Sequence, residues 1–252
     1  MRIDEVPTEE ALKRLREEAR ERGEQEVVVE TSHEAGDAWV RAGFHEEARI
    51  FRAPLDLLDR LLAGAKEPSF GSVQVQTDDL DAVVRAVRQF VPRLPGGSAG
   101  SVVAPPRNGW TAVYDELCDR EPEMLRRLAR EVSDRMGVVV LLIGVEEGSV
   151  VRFVFFERGR VMDEYLSVPE YHGPLPPGDV IGLGANPTVV ARLTGTEPAR
   201  VREVARTARH AGQLPPAREL ISQIADILGV EGAGHGYVGA ENIPGAHLVA
   251  RP

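Results

Sequence analysis

The chain has 252 residues, 42% of them hydrophobic, enough for one large or two to three small packed domains and too apolar for global disorder. Its formal net charge is −10, Lys13 and Lys66 are its only lysines, and no basic cluster stands clear of neighbouring acids, which argues against a nucleic-acid or anionic-membrane partner. One cysteine, Cys118, excludes an intramolecular disulfide and a cysteine-built zinc site; the acidic start MRIDEVPTEE lacks a signal-peptide run, no stretch approaches the roughly 20 apolar residues of a membrane span, and a cytoplasmic protein is expected.

Thr8 is placed to cap a helix running to Arg22, with Leu12, Leu15 and Ala19 on one face and Gly23 as its stop. Glu26–Thr31 reads as a buried strand, Ser32–Ala42 as a short helix ending at Gly43, and Glu46–Ala53 as an alternating strand. Pro54 starts a further helix with Leu55, Leu58, Leu61 and Leu62, and AGAKEPS follows as a linker.

A second unit opens with strand Ser72–Thr77 and helix Asp79–Val91, whose Leu80, Val83, Val84 and Val87 share a face. Strands Ser101–Ala104 and Trp110–Tyr114 flank the turn PPRNG; a helix then runs from Pro122 to Met136 with Leu125, Leu128 and Val132 inward. Val138–Val145 is a continuous apolar run, as in a strand buried on both faces. Val150–Phe156 places Val151, Phe153 and Phe155 on one face and Val150, Arg152, Val154 and Phe156 on the other; Arg158-Gly159 turns the chain into Val161–Leu166. Short hairpin connections predict an antiparallel sheet with helices on one face.

Pro169–Pro187 is rich in Pro and Gly and reads as irregular. Three short helices follow, begun by Asn186-Pro187, Thr196 and Pro216, and the last 24 residues carry many glycines and little periodicity. The fold class is therefore α+β: a first unit over 1–64, an antiparallel-sheet domain over 70–168, a helical extension over 178–229 packed on the sheet, and a glycine-rich tail over 230–252.

Within the first unit the helix ends Ala19-Arg20-Glu21-Arg22-Gly23; a strand Val27–Glu30 follows, then Ser32-His33-Glu34-Ala35, Ala38-Trp39, Arg41-Ala42-Gly43-Phe44 and EEARIFRAPL. Residues 11–55 resemble the C-terminal half of a GNAT-superfamily N-acetyltransferase domain, whose pattern is a helix ending Ala-Arg-x-x-Gly, a strand, an Asn-x-x-Ala-x-x-x-Tyr-x-x-x-Gly-Phe segment and two strands. The resemblance implies acetyl-CoA as cofactor, held at the start of that helix by the backbone N–H groups of an Arg/Gln-x-x-Gly-x-Gly/Ala loop. Here Val6 and Thr8 stand at the two small positions with Pro7 between them, so close backbone approach is blocked and one donor is missing. Trp39 takes the place of the tyrosine that many relatives use as general acid, and indole N–H is too weak an acid for that role. The family's first strands have no counterpart ahead of this helix. The resemblance thus implies a scaffold without its cofactor, whose strand Val27–Thr31 presents an open edge to the C-terminal unit or to a second copy in a homodimer. The rest of the chain resembles uncharacterised bacterial α+β domains, some of immunity type.

Candidate chemistry lies at the end of the strand meander, where Asp163, Glu164, Tyr165, Tyr171 and His172 cluster; Asp163, Tyr165 and His172 are the acid–base candidates. Gly182-Leu183-Gly184-Ala185-Asn186-Pro187 reads as a turn with an Asn cap and Pro at the first helical position, not as a phosphate loop. Glu231, His235, Glu241 and His247 match no metal-ligand spacing, so no metal is expected. Trp110 and Tyr114 read as core, and Cys118 as a plain thiol. The functional expectation is a non-catalytic binding or regulatory module whose protein or small-molecule partner sits near the meander's end. The alternatives are an acyl-CoA-dependent N-acetyltransferase completed by another chain or a missing N-terminal segment, and a hydrolase centred on His172.

Overall fold

The computed structural model describes residues 8–23, 26–30, 39–47, 50–54, 69–90, 98, 100–240 and 242–250. The chain is α+β and divides into two compact units, one of residues 1–67 with 208–216 and the other of residues 68–207 with 217–252.

In the first unit, helix α1 (Glu9–Arg22) begins where the Thr8 side chain accepts the Ala11 N–H at 3.2 Å and ends at Gly23 in the left-handed conformation. Its face of Ala11, Leu12, Leu15 and Ala19 buries against Val27 and Val29 of β1 (Glu26–Glu30), with Trp39 and Phe44 completing the core. Strands β2 (His45–Glu47) and β3 (Ile50–Pro54) make an antiparallel sheet of order β1-β3-β2. The stretch 46–53, expected to be one strand, is therefore two: alternation marks a strand but does not say where the chain reverses. Val6, Pro7, Thr31, most of the expected 32–42 helix and the expected helix after Pro54 lie outside the described residues.

The second unit is built on a fully antiparallel seven-stranded sheet. In chain order it contains β4 (Phe70–Val75), α2 (Leu80–Phe90), β5 (Ser101–Val103), β6 (Thr111–Asp115), α3 (Glu116–Arg120), α4 (Pro122–Met136), β7 (Val139–Glu146), β8 (Val150–Glu157) and β9 (Arg160–Leu166). There follow α5 (Pro177–Gly182), α6 (Pro187–Thr194), α7 (Pro198–Val204), α8 (Ala217–Leu228), α9 (Tyr237–Ala240) and β10 (His247–Val249). The strand order is β10-β5-β6-β4-β7-β8-β9. Asn108-Gly109, Glu147-Gly148 and Arg158-Gly159 take positive φ in pairs; the first and last are two-residue hairpin turns whose twist matches that of the strands, and the β7–β8 connection has three residues, 147–149.

The helices set between the strands share one face, as expected, and the helices after β9 cover the other. α2 and α4 pack on one face through Val83, Val87, Leu125, Leu128 and Val132 against Val73, Val113, Val140, Leu142, Val154 and Phe156. On the other side α8 contacts β7 and β8, α6 contacts β9, and α9 contacts β4, β5 and β6. β7 and β8 are apolar at both parities, so each of their faces requires a cover. Gly71 and Gly144 sit opposite one another on β4 and β7; a Cβ on Gly71 would collide with the Leu125 side chain, so Gly71 lets α4 come down onto the sheet, while a Cβ on Gly144 would strike the Phe70 carbonyl of the neighbouring strand.

Two further readings change. The stretch 169–187 contains α5, and 230–252 contributes α9 together with β10, which adds to the β5 edge through His247↔Val103, Leu248↔Val102 and Val249↔Ser101. Helix α7 follows Glu197, with no side-chain cap from Thr196. Among the described residues no helix is long and apolar enough to cross a membrane.

Candidate functional site

At the end of the meander, β7, β8, β9 and α4 bring charged side chains together on the face covered by α4. Glu164 and Arg152 share that face with Val154 and Phe156, because alternate residues of a strand point the same way. Arg126, reaching down from α4 over the Phe156 ring, donates to Glu164 Oε1 at 2.7 Å and Oε2 at 2.9 Å. This two-point ion pair holds the guanidinium pKa above its ordinary value. Arg152 Nη2 donates to Glu164 Oε1 at 3.4 Å and its Nη1 to Glu146 Oε1 at 2.8 Å. The other Glu146 oxygen meets His172 Nε2 at 2.9 Å. The result is a chain of alternating charge, Arg126–Glu164–Arg152–Glu146, that ends on the His172 imidazole and runs from half-buried to exposed; Glu146 is buried whereas the His172 side chain is 60% exposed. Beside His172, the Tyr171 hydroxyl donates to Glu147 Oε2 at 3.1 Å, and burial, reinforced by Glu147, raises its pKa.

Below this chain lies a small cleft lined by Phe70, Cys118, Leu125, Leu142, Glu146 and Arg152. It encloses about 20 Å³, room for about one water. Arg152 Nε is buried in the same region without a hydrogen-bond acceptor among the described residues. Cys118 is 2% exposed, and burial, with Asp115, Asp119 and Glu121 nearby, pushes its thiol well above the ordinary value. A buried thiol among carboxylates resists ionisation, so Cys118 is held in its un-nucleophilic form.

The three acid–base candidates do not converge. Asp163 and Tyr165 lie on the opposite face from Glu164. Asp163 accepts the Asn186 N–H at 3.0 and 3.2 Å, which fixes the start of α6 against β9, and burial lifts its pKa from 3.8 to about 6. Tyr165 is fully buried, stacks on Phe153 at 4.9 Å and donates to the Arg206 carbonyl at 2.8 Å. Only His172 reaches the charged chain. Its partners Glu146, Arg152 and Arg126 were not singled out from sequence; the one hint was Arg152, a lone charge within an apolar strand.

The other sequence candidates have structural employment. Asn186 caps α6 by accepting the Thr188 and Val189 N–H groups at 3.1 and 3.2 Å, with Pro187 at the first helical position, as expected. Glu231 takes hydrogen bonds from Arg107 and Asn108, His235 stacks on Tyr114, and His247 opens β10; Glu241 lies outside the described residues. Among the described residues no group of three His, Cys, Asp or Glu side chains is arranged to hold a metal ion. Trp110 and Tyr114 are buried. Trp39 is fully buried edge-on to Phe44, ring centroids 4.9 Å apart.

Compared with models of known protein families, with curated proteins and with solved structures, the chain matches none.

Proposed function

We propose that this chain is a non-catalytic, GNAT-related binding module that acts in the cytoplasm and engages a protein or small-molecule partner around His172 at the meander's end. The observation that carries the reading is the pairing of the charges there. Both carboxylates of the chain already accept from guanidinium groups, and Glu146 additionally engages His172. Carboxylates so engaged are committed to partners within the protein and hold the meander's end in place. The same arrangement holds the exposed imidazole, in the turn that follows β9, against Glu146 at the end of β7, which suits recognition.

The first unit supports the absence of cofactor chemistry. Where the family holds pyrophosphate, the Thr8 hydroxyl occupies the start of α1, and Glu9 and Glu10 in the first turn repel an anion. The second reading, an acyl-CoA-dependent N-acetyltransferase completed by another chain or a preceding segment, draws support from the element order. A helix, a strand, a short helical stretch at 39–41 and two strands follow one another as in the family pattern. Titration calorimetry with acetyl-CoA separates the two. The expected result is no saturable heat at millimolar cofactor; micromolar binding overturns the proposal. The β1 edge pairs with β3 alone among the described residues, so homodimerisation through it is tested in parallel by sedimentation equilibrium.

A further inference from the structure

We infer that the segment Glu231–Val249 is a strap that opens as a unit of its own, uncovering the β5 edge and a mixed apolar and polar surface of the sheet beneath it. Five of these nineteen residues are glycines, and three of them, Gly232, Gly236 and Gly239, stand where other side chains need the room. A Cβ on Gly232 would strike the Tyr114 hydroxyl, one on Gly236 the Asp119 carboxylate, and one on Gly239 the His235 ring. The strap is therefore seated by the absence of side chains. What holds it is mostly polar. Tyr114 donates to the Gly232 carbonyl at 2.9 Å, and Asp119 accepts the Tyr237 N–H at 2.7 Å through one oxygen and the Gly71 N–H at 3.2 Å through the other. His235 stacks on Tyr114 with centroids 4.9 Å apart, and β10 gives three residue pairs with β5.

Apolar anchorage is thin by comparison. Ala233, Tyr237, Ala240 and Val249 are buried and Ile243 and Ala246 pack partly buried beside them, whereas Val238 and Leu248 are 76% and 63% exposed. Helix α8 alone buries seven residues. A glycine-rich segment also regains more backbone freedom on release than any other composition, which lowers the free energy of local opening. The surface under α9 is mixed: Tyr237 and Ala240 pack on Val102, Ala104, Ala112 and Tyr114, while the same face of the sheet also buries Ser72 and Gln74, whose Nε2 donates to Ser72 Oγ at 2.9 Å. Elsewhere the strands meet their helices through Val, Leu, Ile and Phe. Opening the strap returns the Tyr114 hydroxyl to solvent and leaves Ser101–Val103 with a free edge, while α8 stays on β7 and β8.

Hydrogen exchange by mass spectrometry on the full chain at neutral pH tests this. The amides of Tyr237–Val249 are expected to exchange at least about 100-fold faster than those of Val140–Ile143, since opening of a subglobal unit costs less than global unfolding. Equal protection of the two segments overturns the inference. Gly236→Ala drives a methyl into the Asp119 carboxylate, and it should speed exchange of the strap and of Ser101–Val103 roughly tenfold or more while leaving β7 and β8 unchanged. In an Asp119→Ala background the same substitution should add nothing, because its obstacle is gone. Acceleration of β7 and β8 by the same factor, or full additivity of the two substitutions, would show that the strap opens only with the whole unit.

Discussion

Asp163 offers the most exacting test of how the second unit is held together. Its side chain lies between β9 and the start of α6, 9% exposed, and burial lifts its pKa from 3.8 to about 6 against the opposing N–H donors of Asn186 and Glu164. In the unfolded chain the carboxyl titrates near its ordinary value, so folding takes up a proton between about pH 4 and pH 6. The folded state therefore gains from the neutral acid at low pH. That contribution is complete below the unfolded value of 3.8 and is lost as pH rises through about 6. A rise of roughly two pH units corresponds to about 3 kcal/mol. Asp163→Asn removes the charge and keeps a carbonyl oxygen for the Asn186 N–H, at the cost of burying an amide NH2. At about pH 8 the variant should be more stable than wild type by about 1–3 kcal/mol, and near pH 4 the two should coincide. Urea unfolding of both chains at these pH values, read as the difference between them, cancels the titration of the other carboxylates. A difference that does not change with pH, or a variant less stable at pH 8, refutes the reasoning and would mean that the Asn186 N–H outweighs desolvation.

Other expectations follow from the packing. Phe153→Ala empties a 1%-exposed site between Phe155 and Tyr165 and should cost about 3–5 kcal/mol in urea unfolding. A double-mutant cycle of Arg126→Ala and Glu164→Gln should give a coupling of about 1 kcal/mol, lowered from the buried value by partial exposure and reduced further at high salt. Cys118 should resist a disulfide reagent in the folded protein at neutral pH and react fully in guanidinium chloride, because the thiol is both buried and protonated. Rapid labelling of the native chain would contradict its place beneath the charged chain.

How far the sequence carried depends on whether the information was local. β7 and β8 could be read because their apolar runs, the alternation of Phe153 and Phe155 against Val154 and Phe156, and the glycines of the turns all lie within a few residues of one another. The same alternation misled at the site. Asp163, Glu164 and Tyr165 are neighbours in sequence, but their parity sends Glu164 to one face and the other two to the opposite face, so proximity along the chain was separation in space. The carboxylate that orients His172 comes from Glu146, 26 residues earlier, and the guanidinium that pairs with Glu164 comes from Arg126, 38 residues away on a helix. Only the antiparallel register and the seating of α4 over Gly71 bring them together.

The tail carries this one step further. Glycines have no periodicity of their own, so 230–252 read as a segment with little structure. Two of them in fact match groups contributed by other elements: Gly232 lies against Tyr114, whose hydroxyl bonds its carbonyl across 118 residues, and Gly236 against Asp119, whose carboxylate fills the space beside it and takes the Tyr237 N–H, also 118 residues on. A side chain that is missing can be interpreted only from the one that fills its place. Tyr114 and Asp119, on β6 and α3, supply that meaning, and a reading confined to the tail could not contain it.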